Sequence, residues 1–476
     1  TAPVSTPFGS IVGLQRGPIS VFKGIRFATA ERFAAPVPTG AWIGDLDATQ
    51  YGAQAPQLVG MLERALGASK LPMGEDCLFL NVFTPGCDDR KRPVLVWIHG
   101  GAYTTGTGAM PWYDGSALCT TGDVVVVTVN YRLGAFGFAG TSNNGLRDQV
   151  EALRWVHQAI ASFGGDPTDV TVFGESAGGS AVIALMAVPE AKDLFHRVLA
   201  MSPSINQLRS GARAEEALGE LLQAAGVDSL DGLRDTPIDE VLAAQSVLLR
   251  DVGAGFTGFS PCDDGSFVPA PILEAAAADP RPLVLGTTRD EMSLFTAFNP
   301  ALAELDEETL TRLFVRRFGE AAPAAVAAYE AARPESSFVQ LASAMQTDEV
   351  FRVPARKLAE ARSVSGLPTW MYWFTWATPA FGGRLGSCHA LDIPFAFHNL
   401  QRTGVEAMTG DGADRTAVAD TFSSAVLSFA RTGEPGWPQY DAGADGARAT
   451  MQIDAASRVV DDPEPGLRQL WSLHSR

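Results

Sequence analysis

The chain has 476 residues, 46% of them hydrophobic, with a formal net charge of −18 and a pI of about 4.8. Such an acidic chain is a poor partner for nucleic acid or for an anionic membrane surface. No run of about eighteen apolar residues reads as a membrane span. The five cysteines (Cys77, Cys87, Cys119, Cys262 and Cys388) show neither metal-ligand spacing nor the even count of a disulfide scaffold.

Residues 9–26 read as a small hairpin turning at Gly17-Pro18, and residues 33–59 as irregular surface chain rich in Pro, Gly and Gln. Leu78–Thr84 reads as the first edge strand of the main sheet. Val94–Ile98 and Val124–Val129 are apolar on both faces, as buried parallel strands require. A helix follows over 146–163, with apolar residues at 146, 150, 153, 156 and 160. Val170–Phe173, Val198–Met201, residues 283–287 and Thr369–Trp376 are further strands, and residues 414–432 a further helix. Residues 449–461 read as a short strand and turn. Helical segments near 205–255 and 300–362 interrupt the alternation and read as insertions that wall a cleft. Strands alternating with helices, without internal repeats, predict one α/β domain over 1–476 with a mostly parallel central sheet flanked by helices.

The chemistry centres on Gly174-Glu175-Ser176-Ala177-Gly178, between a strand and a helix. G-x-S-x-G in that context is a nucleophile elbow, which strains the serine and lifts its hydroxyl above the sheet. A serine hydroxyl needs a base, and the base an orienting acid. In this fold class both come later in the chain, in the order serine, acid, histidine. Of six histidines, His99 lies before the serine, His157 inside the helix that precedes the elbow, His196 within about twenty residues of the serine, and His474 in the tail. His389, on a Gly-rich loop after the aromatic strand, is the expected base, and His398 a structural residue. The acid comes from Asp290-Glu291, after the 283–287 strand, and position alone does not choose between the two. His99-Gly100-Gly101-Ala102 follows a strand as an oxyanion-hole loop does, so the N–H groups of Gly100, Gly101 and Ala177 are the expected donors to a tetrahedral intermediate.

These residues resemble the type B carboxylesterases, the α/β-hydrolase branch that includes bacterial p-nitrobenzyl esterases and the cholinesterases. Glu75–Val82, Asn130–Phe138, Asn144–Gln149, Phe173–Gly179, His389–Phe395 and Arg431–Pro438 carry the resemblance along nearly the whole chain. It implies a carboxylesterase acting on a small-molecule ester without metal or organic cofactor, as a monomer or small homo-oligomer. It selects Glu291 as the acid, with Met292 in place of the family's usual Gly, and leaves Asp290 a supporting role. It implies ion pairs Arg32–Glu75 and Arg132–Asp148, and places Phe256 and Phe259 at the acyl pocket. No tryptophan lies between Tyr51 and Cys77, where cholinesterases hold their cation-binding indole, so choline esters are not the expected substrate. Cys77 has no upstream cysteine to pair with, and Arg far outnumbers Lys. Both favour a reduced, cytoplasmic bacterial enzyme. The chain starts at Thr1, which leaves secretion open. An amide, carbamate or lactone substrate, or a non-catalytic cholinesterase-like binding module, remains the alternative reading.

Overall fold

Short β-branched runs build the centre of the molecule. The computed structural model describes residues 1–59, 71–251, 258–299, 302 and 305–474. Its main sheet contains β1 (Leu14–Arg16), β2 (Ile19–Arg26), β3 (Phe79–Thr84), β4 (Arg92–Ile98), β5 (Val125–Val129) and β6 (Gly165–Glu175). It continues through β7 (Arg197–Met201), β8 (Leu283–Thr288), β9 (Thr369–Phe374), β10 (Ala449–Ile453) and β11 (Arg458–Asp461). In space the order is β11-β10-β9-β8-β7-β6-β4-β5-β3-β2-β1. The strands from β4 to β10 run parallel, and the two ends of the sheet are antiparallel.

Two details differ from the sequence reading. The strand at 79–84 is not an edge: β2 pairs with it and β1 lies outside β2. The hairpin expected over 9–26 is divided, since Gly9–Val12 pairs in a separate small sheet with Val4–Thr6 and Asp45–Asp47. Gly13 marks the division. A Cβ there would lie 2.5 Å from the Val21 carbonyl, so the chain crosses between sheets where only a bare backbone fits.

Both faces of the sheet are covered, which explains the unbroken apolar runs. In β4, Val94, Val96 and Ile98 face one core cluster, and Leu95 and Trp97 face the other. The first cluster takes in Leu146, Val150, Leu153 and Val156 of helix α1 (Asn144–Ala159). Helix α2 (Ala177–Leu185) is buried along its whole length, so it needs no polar face. Burial of each large apolar side chain contributes about 1.5–3 kcal/mol. The helical excursions are present as α3 (Gly211–Ala225) and α4 (Ile238–Asp251) in the first, and α5 (Glu307–Phe318), α6 (Phe338–Thr347) and α7 (Val353–Val364) in the second. A turn of π-helix, Asp348–Arg352, joins α6 to α7.

The strand order positions the site. β5 lies on one side of β4 and β6 on the other, so the loops leaving β4 and β6 separate the two directions of winding. Crevices in open α/β sheets form at such a point, beyond the carboxyl ends of the strands.

Candidate active site

β6 ends at Glu175, and Ser176 takes φ 59° and ψ −120° before α2 begins at Ala177. A non-glycine residue seldom occupies that region, and it persists only where the surroundings enforce it. Here they do. Ser176 N–H donates to the Met201 carbonyl (2.9 Å), and the Ser176 carbonyl accepts from Ser180 N–H (2.9 Å). Gly178 lets the elbow pack against β4, since a Cβ on it would fall 2.0 Å from the Ile98 carbonyl. Ser176 keeps 9% of its surface exposed.

The loop after β4 lies directly against the serine. A Cβ on Gly100 would meet the Glu175 carbonyl at 2.6 Å and Ser176 Cβ at 3.1 Å, and Gly101 sits at φ 106°. Three side chains brace this loop. His99 Nδ1 lies 2.8 Å from the Gly100 carbonyl, and its ring stacks on Tyr131 at 4.5 Å. Tyr131 donates to the His99 carbonyl (2.7 Å). Gln57 both donates to and accepts from Gly106 (2.9 and 2.7 Å). Burial pulls the His99 imidazole down to about 4, so it is neutral at pH 7 and its Nδ1–H serves the Gly100 carbonyl. His99 thus shapes the loop.

Glu291 and His389 meet with Nδ1 2.6 Å from Oε2. The other carboxylate oxygen of Glu291 accepts from Ser202 Oγ (2.6 Å) and Thr288 N–H (2.7 Å). Glu291 is fully buried. Its neighbour Asp290 does not touch the imidazole. It accepts from Ser387 N–H (2.9 Å) and pairs with Arg289 (3.0 Å), clipping the histidine loop to β8. Geometry therefore separates the two carboxylates that position alone left open. Met292, at φ −70°, is ordinary helical backbone, so glycine is not needed there. Its N–H is taken by Thr347 Oγ1 of α6 (3.0 Å), an anchor from the second helical excursion.

The Nε2 edge of His389 faces Glu175, 3.1 Å from Oε1. This is an ion-pair approach without hydrogen-bond alignment, and Glu175 Oε1 keeps no hydrogen-bond partner. Among the described hydrogen bonds none joins His389 to Ser176 Oγ. In substrate-free enzymes such contacts are often long and close only when substrate is bound. Phe351, in the π-helical turn, and Phe295 flank the imidazole with ring centroids at 4.8 and 5.5 Å.

Sequence reasoning assigned no role to Glu175, Asp392, Tyr372 or Ser202. The first three form a buried acid cluster behind the histidine, with the Tyr372 hydroxyl donating to Asp392 (2.8 Å). Burial pushes Glu175 up to about 8 and Asp392 up to about 7. Burial also lowers His389, but the carboxylates of Glu175 and Glu291 outweigh it and hold the imidazole up at about 9. These groups titrate together, so a proton gained by one weakens the hold on the next.

The remaining candidates are placed as follows. His398 is paired instead with Asp420, its Nε2 2.7 Å from Oδ1. His196 Nδ1 accepts from Val170 N–H (3.1 Å), and His157 is exposed on α1. Phe259 is 2% exposed within the apolar core, and Phe256 lies outside the described residues. Arg32–Glu75 (2.9 Å) and Arg132–Asp148 (2.6 Å) both form. All five cysteines are free thiols. Among the described residues no helix is long and apolar enough to cross a membrane.

The profile of the carboxylesterase family matches residues 1–465. The para-nitrobenzyl esterase of Bacillus subtilis is 37% identical, over 98% of this chain and 97% of its own. The phenmedipham hydrolase of Pseudarthrobacter oxydans is 33% identical over 97% of each. Among solved structures, the carboxylesterase EST55 of Geobacillus stearothermophilus superposes with a TM-score of 0.87 at 37% identity, covering 99% of this chain and 100% of that one. With strained serine, braced glycine loop and carboxylate–imidazole pair on one side of a mostly parallel sheet, the chain belongs to the carboxylesterase family and is a carboxylic ester hydrolase of the α/β-hydrolase fold.

Proposed function

We propose that one α/β-hydrolase domain, spanning the chain, cleaves small-molecule carboxylic esters through an acyl-enzyme on Ser176. His389 takes the hydroxyl proton as Ser176 attacks the carbonyl carbon, then delivers it to the departing alkoxide. Glu291 fixes Nδ1–H on the far side of the ring and stabilises the imidazolium. Water repeats the sequence on the acyl-enzyme, releasing the carboxylic acid and restoring Ser176. Gly100, Gly101 and Ala177 N–H groups receive the oxyanion, where loss of one donor costs about 10²–10³ in rate. The observation that carries this reading is the positive-φ Ser176 at the strand–helix turn, with Gly100 packed on its Cβ.

Phe259 lies on the acyl side of the cleft. In support, Phe259 adjoins Ser260, whose hydroxyl binds the Gln207 carbonyl, and Gln207 accepts from Ser204 Oγ. Ser204 N–H in turn donates to the Ser176 carbonyl (3.3 Å). The unpaired cysteines favour a reducing, cytoplasmic setting.

A fluorophosphonate probe tests the reading. Stoichiometric labelling on the Ser176 peptide, abolished in Ser176→Ala, is the expected result. Labelling elsewhere, or retained ester turnover in Ser176→Ala, refutes the nucleophile. Parallel assays with p-nitrophenyl esters of graded chain length and one anilide separate ester from amide preference.

A further inference from the structure

A pocket apart from the serine site opens between the β8–β10 face of the sheet, helix α7 and the chain after β11. It is bordered by Arg352, Arg356, Arg448, Trp373 and Asp462. Its lining holds three guanidiniums and one carboxylate, in a chain of net charge −18. The carboxylate is already spent: Asp462 is gripped by Arg468 through both oxygens (2.7 and 2.8 Å). Arg352 is tied to Glu464 and lies over the Trp373 ring at 4.2 Å.

The other two arginines are not satisfied. Arg448 has no ion pair among the described residues, and a single hydrogen bond, to the Ala442 carbonyl (3.0 Å), is its only guanidinium contact of that kind. Arg356 meets Glu360 at 3.5 Å without a hydrogen bond. Arg356 Nε, Arg448 Nε and the indole Nε1 of Trp373 are buried donors without a hydrogen-bond partner, and Trp373 itself is 9% exposed. Buried donors are normally satisfied, and guanidinium edges suit the paired oxygens of an oxyanion. Burial pulls Arg352 down to about 10, a cost that a bound anion offsets.

We propose that this pocket is an anion site that takes the phosphate or carboxylate group of a small molecule on Arg356, Arg448 and Trp373. Arg352, tied to Glu464, braces the Trp373 ring. Ester cleavage does not require the site, since neither Ser176, Glu291 nor His389 lines it.

Isothermal titration of the whole protein with sodium phosphate and with sodium acetate, against sodium chloride at matched ionic strength, is the test. Saturable binding of one equivalent of phosphate or acetate is expected, and the tighter of the two identifies the headgroup. The R356Q/R448Q double variant is expected to bind at least roughly tenfold more weakly. W373F, which removes the N–H donor together with part of the ring under Arg352, is expected to lose about three- to tenfold. Unchanged p-nitrophenyl ester turnover shows that each variant is folded. Absence of saturable heat with either oxyanion, equal heat with chloride, or undiminished binding in W373F overturns the proposal.

Discussion

At Glu291 a single carboxylate serves three donors, and the direction of its hydrogen bonds decides which tautomer His389 adopts. Oε1 accepts from Ser202 and Thr288, so only Oε2 remains for the imidazole. In Glu291→Gln the amide oxygen stays with those two donors, and the NH₂ group turns toward Nδ1. The ring must then carry its proton on Nε2, where it cannot accept one from serine. The expected result is a fall in kcat of about 10³–10⁴ with unchanged thermal unfolding. Glu175 acts on the same ring through charge. With His389 as the proposed base, a raised imidazole is protonated, and inactive, over more of the pH range, so kcat/KM is expected to rise with pH as His389 loses its proton. Glu175→Gln removes an anion that favours the imidazolium. The acid limb of the kcat/KM profile is therefore expected to move to lower pH. A limb that stays in place or moves up would show that Glu175 does not set the base.

Between elements, the Arg132–Asp148 pair joins the chain after β5 to helix α1. Asp148 accepts from Arg132 N–H (3.0 Å), Nε (2.8 Å) and a terminal guanidinium nitrogen (2.6 Å), and it is fully buried. Arg132 also donates to the Ala34 carbonyl (2.6 Å), which pins the irregular N-terminal chain to the sheet. Removing one partner of such a pair leaves the other charge buried without compensation, at a cost of about 3–5 kcal/mol. Arg132→Met is expected to lower stability to urea by that amount, followed by tryptophan fluorescence. Asp148→Asn in the Arg132→Met background should recover part of the loss, because an amide is easier to bury than a carboxylate. Residual activity below the unfolding transition should stay near wild type, since neither residue touches Ser176 or His389.

Over the whole molecule, what could be read in advance follows from the range of the forces involved. The elbow and the His99-Gly100-Gly101 loop are local patterns, written within a few residues by backbone sterics, so their placement was legible. The pairing of Glu291 with His389 spans 98 residues, and only chain order and family resemblance pointed to it. The acid cluster of Glu175, Asp392 and Tyr372 was illegible because burial is conferred by the completed sheet, not by neighbouring residues. The edge of the sheet was misplaced at 79–84 for a similar reason: the short, partly polar strands at 14–26 carry little periodic signal, and they reach the sheet only through pairing with β3. The cysteines bring the global consequence into one measurement. Cys77, Cys119, Cys262 and Cys388 are buried and Cys87 is exposed. Partial shielding from water, with Asp88 beside it, holds the Cys87 thiol up at about 11. Native protein is therefore expected to react with one equivalent of a chromogenic disulfide reagent, slowly at neutral pH and faster as the pH climbs toward that value. Denatured protein should yield five thiols, with or without prior reduction. Three thiols after denaturation, rising to five on reduction, would place a disulfide in the chain and move it to an oxidising compartment.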